Sequence, residues 1–348
     1  MPMSTLAVAD DPLFVLHHSD GPHPERPERL EAARSGLSRA LEHGLSRVDL
    51  LVQDASEAQL ARVHREDYLL RLGQRAGKWG HLDPDTFHSP DSVAAARRAA
   101  GAGIALVDAL LDSEVDGGLA LVRPPGHHAR PQAAMGFCLL NNIAVAAQYA
   151  RDRGLGRVAV VDFDVHHGNG TQEIFYEDPS VLFVSLHQFP FYPGTGAAEE
   201  IGRGDGTGAT VNIPLSAGAG DAVYRAAFDR IVSPVIEQFA PELLLVSAGF
   251  DAHARDPLAA MQLTEDSYRH MLQALRRVLP AGTQRRIGVL LEGGYDLRAL
   301  TESVAAMVDG LVGELEDRDP EDEGRRLSAA QEADLERSMR VIRPHFSL

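Results

Sequence analysis

Residues 157–170 read RVAVVDFDVHHGNG. After Arg157, the four residues VAVV form a β-branched, apolar run of the kind that becomes a fully buried strand. The next nine carry Asp162, Asp164, His166, His167 and Asn169. An ionised carboxylate taken out of water is costly unless it is paired or bound to a metal, so this ending needs a reason. Asp164 and His166 are two apart, and in extended backbone residues i and i+2 point to the same side. They can therefore hold one ion together, while Gly168 and Gly170 let the chain turn away.

The same pattern recurs along the chain. Apolar runs end in Gly, His or Asp at GLALVRPPG (118–126), VLFVSLH (181–187), LLLVSAGFD (243–251) and IGVLLEGGYD (287–296). Helical patterns lie between them, at 91–112, 141–154, 222–240 and 265–279. Strand and helix alternate, which predicts an α/β fold with a parallel sheet covered on both faces. In such sheets ligands bind beyond the carboxyl ends of the strands. Every unusual polar motif of this chain stands at such an end.

Composition bounds the rest. The 348 residues, 44 % of them hydrophobic, suit one large α/β domain over 1–348. The charged stretch 313–326 is expected to be a solvated loop leading to a C-terminal helix on that same domain. A net charge of -17 argues against a nucleic-acid-binding surface. Cys138 is the single cysteine, so neither an intrachain disulfide nor a Cys-rich zinc site can form, and a cytoplasmic location is expected. The N-terminal MPMSTLAVADDPLF lacks the basic and apolar segments of a signal peptide. No run approaches 18 apolar residues, so no membrane span is expected.

Asp251 ends another buried run and can supply a third ligand beside Asp164 and His166. Asp-His-Asp with an open position has the character of a catalytic metal site. Zinc is the first expectation, and Fe2+ or Co2+ suits the same donors. RPPGHHA (123–129) brings tandem His127 and His128, whose imidazoles suit general base and acid work near neutral pH. Each needs an acceptor on its other nitrogen, and Asp162 and Asn169 are the candidates. The carboxylate raises its partner's basicity more than the amide does, so the two histidines should titrate differently. Tyr295, after two glycines, can aim a phenol at a developing oxyanion.

Taken together, HPERPERL (23–30), RPPGHHA, GFCLLNN (136–142), VDFDVHHGNG, VSLHQFPFYPGTG (184–196), VNIPL (211–215), SAGFDAHARDPL (247–258) and LLEGGYDL (290–297) resemble the histone deacetylase superfamily, which includes bacterial acetylpolyamine amidohydrolases. The resemblance implies the arginase/deacetylase fold, a three-layer α/β/α arrangement around a mostly parallel sheet of about eight strands. It implies metal-dependent hydrolysis of an acetylated amine and binding of hydroxamate inhibitors. It casts Asp164, His166 and Asp251 as metal ligands, His128 as general base, His127 as the charged histidine and Tyr295 as the carbonyl polariser. It places a structural K+ or Na+ on the carbonyls of Asp162, Asp164, His166 and Leu186 with the Ser185 hydroxyl. Asn169, where class I members carry aspartate, points to the class II and bacterial branch.

The resemblance also supplies tunnel walls: Gly136 and Phe137 on one side, Tyr192 on the other. Counting back from Tyr295 puts Leu263 at the rim position where polyamine-selective relatives carry an acid. Leucine there favours an acetyl-lysine-like substrate over an acetylpolyamine, whereas the -17 charge favours cationic substrates generally. The segment 69–90 looks too short to narrow the tunnel as some bacterial polyamine enzymes do. Two other outcomes are weighed: a deacetylase fold that binds acetylated ligands without hydrolysing them, and a two-metal ureohydrolase. The complete residue set disfavours the first. The lack of further bridging aspartates at His167 and Asn169 disfavours the second. A homo-oligomer is left open.

Overall fold

The computed structural model describes residues 4–112, 115–280, 283, 286–315 and 327–348. Eight strands form one sheet: β1 (Thr5–Ala9), β2 (Ser46–Asp49), β5 (Gly117–Ala120), β6 (Val158–Asp162), β7 (Val181–Gln188), β8 (Thr210–Leu215), β9 (Leu243–Ala248) and β10 (Ile287–Leu291). A two-stranded antiparallel ribbon, β3 (Gly80–His81) with β4 (Phe87–His88), stands apart. The sheet order is β2-β1-β5-β10-β9-β6-β7-β8, and every pairing in it is parallel. The chain lays down one half of the sheet, jumps past a gap to build the other half, and returns to fill the gap with β9 and β10.

The helices that matter here are α1 (Glu28–Leu41), α2 (Glu57–Leu60), α3 (Glu66–Gly73), α4 (Ser92–Asp112), α5 (Asn142–Asp152), α6 (Asn169–Phe175), α7 (Asp221–Ala227), α8 (Ser233–Phe239), α9 (Glu265–Val278), α10 (Leu297–Val312) and α11 (Ala329–Ile342). Neighbouring residues of one strand show that two layers cover the sheet. A Cβ on Gly117 would meet Leu311 and Val312 of α10, and one on Gly118 would meet Leu106 of α4. Successive strand residues point to opposite faces, so α10 and α4 lie on opposite sides. α1 and α9 pack against α10, and α5 packs against α4. Strands β6, β7, β9 and β10 are buried along their whole length, as predicted from their unbroken apolar runs. Each fully buried Val, Leu or Ile there stabilises the fold by about 1.5–3 kcal/mol.

Pattern alone does not reveal every strand. β2, SRVD, lies at the sheet edge with three of its four residues exposed, so it carries no apolar signal. β1 is only five residues long and sits within the N-terminal MPMSTLAVADDPLF. α11 lies against β8, with Leu335 and Ile342 in the core. Most of the predicted charged loop 313–326, residues 316–326, lies outside the described residues. Among the described residues no helix is long and apolar enough to cross a membrane.

Candidate active site

The four central strands, β5, β10, β9 and β6, all point their carboxyl ends at one cavity of about 210 Å³. Its lining includes His127 and His128 after β5, Asp164 and His166 after β6, and Gly293 and Tyr295 after β10. β9 contributes Asp251 just behind. Register explains the convergence: Asp162 pairs with Ser247 across the β6–β9 seam, so the residues just beyond both strands emerge side by side.

One ligand atom each of Asp164, His166 and Asp251 lies within 4.8 Å of the others. His166 Nδ1 is 3.2 Å from Asp164 Oδ1 and 3.1 Å from Asp251 Oδ2. The remaining carboxylate oxygens are fixed from behind. Asp164 Oδ2 accepts from the Gly293 N–H at 2.8 Å, and Asp251 Oδ1 accepts from the Val165 N–H at 3.0 Å. A Cβ on Gly293 would come within 2.4 Å of Asp251 Oδ2, so only glycine lets the β10 backbone pass this close. Burial opposes a charge on His166, yet Asp164 and Asp251 lift its pKa to about 10. Burial and the neighbouring Asp164 push Asp251 up. Two buried carboxylates converging on one imidazole nitrogen thus demand a positive charge, and the donor set fits a divalent cation.

The tandem histidines lie with ring centroids 4.0 Å apart but in opposite electrostatic surroundings. His127 Nδ1 donates to Asp162 Oδ2 at 2.9 Å. Although burial opposes it, Asp162, Asp164 and Glu292 hold His127 well above the usual imidazole range. His128 Nδ1 donates to Asn169 Oδ1 at 2.7 Å, which leaves its Nε2 as an acceptor. Burial, then the charges on His127 and His166, hold His128 well below that range. The surroundings of His127 favour the charged ring, and those of His128 favour the neutral one.

Tyr295 is 8 % exposed. Its ring meets the edge of Phe137 at 5.9 Å and lies 4.8 Å from the Arg29 guanidinium. Burial raises the phenol pKa well above its ordinary value against the opposing Arg29 charge, so the hydroxyl keeps its proton for donation. Arg29 itself donates to the carbonyls of Gly294 at 2.6 Å and Glu292 at 2.5 Å. Behind it Glu25 accepts from Arg29 and, at 2.6 and 2.7 Å, from Arg123. This buried ionic triad gives the HPERPERL motif a physical role: it braces the turn that carries the tyrosine.

The walls are loops. Gly136 and Phe137 both have positive φ, +54° and +68°, and a Cβ on Gly136 would come within 2.4 Å of the His128 ring. Pro125, Phe137, Phe191, Tyr192, Asp85 and Leu258 complete the lining. Leu263 does not belong to it. Leu263 is fully buried in the core, and it bridges to His253 just before α9. The leucine on the cavity wall is Leu258, seven residues after Asp251. A fixed count back from Tyr295 crosses the whole of α9 and has no structural ruler, whereas a count forward from Asp251 stays within one loop.

Three further residues carry the site and were not singled out above. Glu292 accepts from the Gly126 and His127 N–H groups at 2.7 and 3.2 Å, and burial pushes it up to about 7. Its signal was present in EGGYD. Asp256, in the DP pair before Leu258, accepts from Tyr295. Asp85 stands in the cavity wall. For the monovalent-cation residues, the structure sets Ser185 of β7 directly opposite Asp162 of β6, with Leu186 next to it and fully buried. The Ser185 hydroxyl lies 2.9 Å from His187 Nδ1.

Known proteins resemble this chain over most of its length. A sequence profile described as "Histone deacetylase domain" matches residues 23–311. "Histone deacetylase-like amidohydrolase" of Pseudomonas aeruginosa is 43 % identical over 309 residues, covering 87 % of this chain and 79 % of that protein. "Polyamine deacetylase HDAC10" of Homo sapiens is 46 % identical over 307 residues, covering 83 % of this chain but 45 % of the human protein. The solved structure of the HDA15 HD domain superposes with a TM-score of 0.90 at 37 % identity, over 99 % of this chain and 95 % of that one. The eight-stranded parallel sheet is that of the arginase/deacetylase fold, and with the profile covering most of its length the chain belongs to the histone deacetylase family.

Proposed function

We propose that the protein hydrolyses the amide of an acetylated amine, with zinc held by Asp164, His166 and Asp251, and with Fe2+ or Co2+ as metals the same donors accept. The observation that carries this is the convergence, at one cavity floor, of that triad with His127 bonded to Asp162, His128 bonded to Asn169, and the Tyr295 phenol. A divalent ion there supplies Lewis acidity toward the acyl carbonyl and lowers the pKa of water. His128, neutral and with Nε2 free to accept, takes the proton of the attacking water. Tyr295 donates to the carbonyl oxygen as negative charge develops on it. His127 remains charged beside Asp162 and adds to the positive field. The departing amine takes its proton from the histidine pair. Ser185 and Leu186, alongside Asp162, support a K+ or Na+ beneath this floor.

The substrate stem would lie between Phe137 and Tyr192, with Leu258 as a third apolar wall. That lining suits the methylenes of acetyl-lysine. A second substrate class has its own support: Asp85 stands in the wall, and two of the relatives bear the name polyamine deacetylase. Side-by-side turnover of an acetyl-lysine peptide, acetylputrescine and acetylspermidine by the zinc-loaded protein separates the two. Chelation should abolish all turnover. If no acetylated amine is hydrolysed, the proposal fails and an acetyl-binding module replaces it.

A further inference from the structure

The phenol of Tyr295 has to reach a carbonyl oxygen within tenths of an ångström, yet it rides on a glycine-rich turn. The N-terminal side of that turn is well tied. Gly293 donates to Asp164, and Arg29 grips the carbonyls of Glu292 and Gly294. The far side meets a single carboxylate. Asp256 Oδ2 accepts from the Tyr295 N–H at 2.6 Å and the Asp296 N–H at 3.2 Å, and Asp256 Oδ1 accepts from the Leu258 N–H at 3.0 Å. Asp256 is 7 % exposed and five residues beyond Asp251, in the loop whose Leu258 forms the cavity wall.

From this geometry we infer that Asp256 is a positioning residue: it fastens the Tyr295 backbone to the loop bearing Leu258, so that the carbonyl-polarising phenol and the wall move as one body. It touches no reacting atom and acts through Tyr295. The chemistry of the side chain is specific. All three groups facing it are donors, and they occupy both of its oxygens. An asparagine has one acceptor oxygen and one NH2, so it must set a donor against a donor on one side. The turn would then lose either its hold on Tyr295 or its tie to the wall. The glycines before Tyr295 give the chain no stiffness of its own to compensate.

The inference rests on the deacetylase activity proposed above, and the test separates the two. Steady-state kinetics are measured on zinc-loaded wild type, Asp256→Asn, Tyr295→Phe and the double variant, with an acetyl-lysine peptide and the acetylpolyamines. Asp256→Asn should lower kcat about 10–100-fold, the range found when a group that orients a working residue is removed, with little change in KM. In the Tyr295→Phe background, where the hydroxyl to be aimed is gone, the same substitution should add almost nothing. Losses that multiply in the double variant would show that Asp256 only supports the fold, and would overturn its role. So would a KM effect with kcat intact. Asp256→Ser, smaller and neutral, completes the same cycle if the asparagine variant does not fold. No turnover by the wild-type chain sinks the deacetylase proposal itself, whereas an active wild type with multiplying losses sinks only the assignment of Asp256.

Discussion

The floor and the walls of the cavity are built by different means. Floor residues sit at the ends of four adjacent parallel strands. Asp164, Asp251, His127 and His128 are each at most 4 % exposed, and each is held by hydrogen bonds from a neighbouring strand end or helix start. Wall residues sit on long loops. Tyr192 is 36 % exposed, and Phe137 is held on its backbone side by one bond from its N–H to Thr86 Oγ1 at 3.1 Å. A strand end inherits the rigidity of the sheet, while a loop has only what its own contacts supply. The floor can therefore fix chemistry, and the walls are free to change the substrate.

The largest effect that would break this division is at the floor. His128→Ala should lower kcat about 10²–10⁴-fold, the usual contribution of a positioned general base, while leaving the thermal midpoint close to wild type. A loss below tenfold would mean that another group takes the proton.

Next come the two leucines that counting confused. Leu263→Ala removes a fully buried core side chain and should cost about 2–5 kcal/mol in a urea titration. Leu258→Ala should leave stability nearly unchanged and instead alter the ratio of kcat/KM between acetyl-lysine peptide and acetylspermidine. The reverse pattern would return the wall position to Leu263.

The smallest effect concerns a brace between floor and wall. His64, 2 % exposed, accepts from the Asn141 N–H at 2.9 Å and donates to the Arg130 carbonyl at 3.1 Å, tying the turn between α2 and α3 to the loop 128–141. Burial pushes its pKa down to about 4, against an ordinary value of about 6.5. The unfolded chain thus binds the proton first, and the stability from neutral His64 is present above pH 6.5 and is lost as pH falls toward 4. Between pH 7 and 5 the expected loss is about 2 kcal/mol. Urea unfolding of His64→Gln at the two pH values should show a drop smaller by that amount. An equal drop in variant and wild type would remove His64 from the account.

The same division decides what could be read from residues alone. Floor positions were legible because a buried run that stops in Asp, His or Gly marks a strand end, and strand ends in a parallel sheet face one side. Asp164 and His166 followed from spacing of two, and His127 and His128 from their place after a run. Glu292 stood in plain view, but a glutamate before Gly-Gly-Tyr has no spacing partner, and its bonds go to backbone N–H groups 165 and 166 residues away in sequence. The walls had no periodicity to read, and there the placement of Leu263 failed. The edge strand β2 was illegible for a related reason: three of its four residues are exposed, so nothing in its composition marks it.

The strand order has one more consequence. β5 and β6 follow one another in the chain, yet β10 and β9 lie between them. Without residues 243–291 the trios β2-β1-β5 and β6-β7-β8 would have no pairing between them, and their inner edges would be open to other strands. The last strands to emerge act as a keystone. The seam they close between β6 and β9 is the one that Asp164 and Asp251 straddle, so an ion bridging them would also rivet the arch. Ion binding there would favour the closed sheet by mass action.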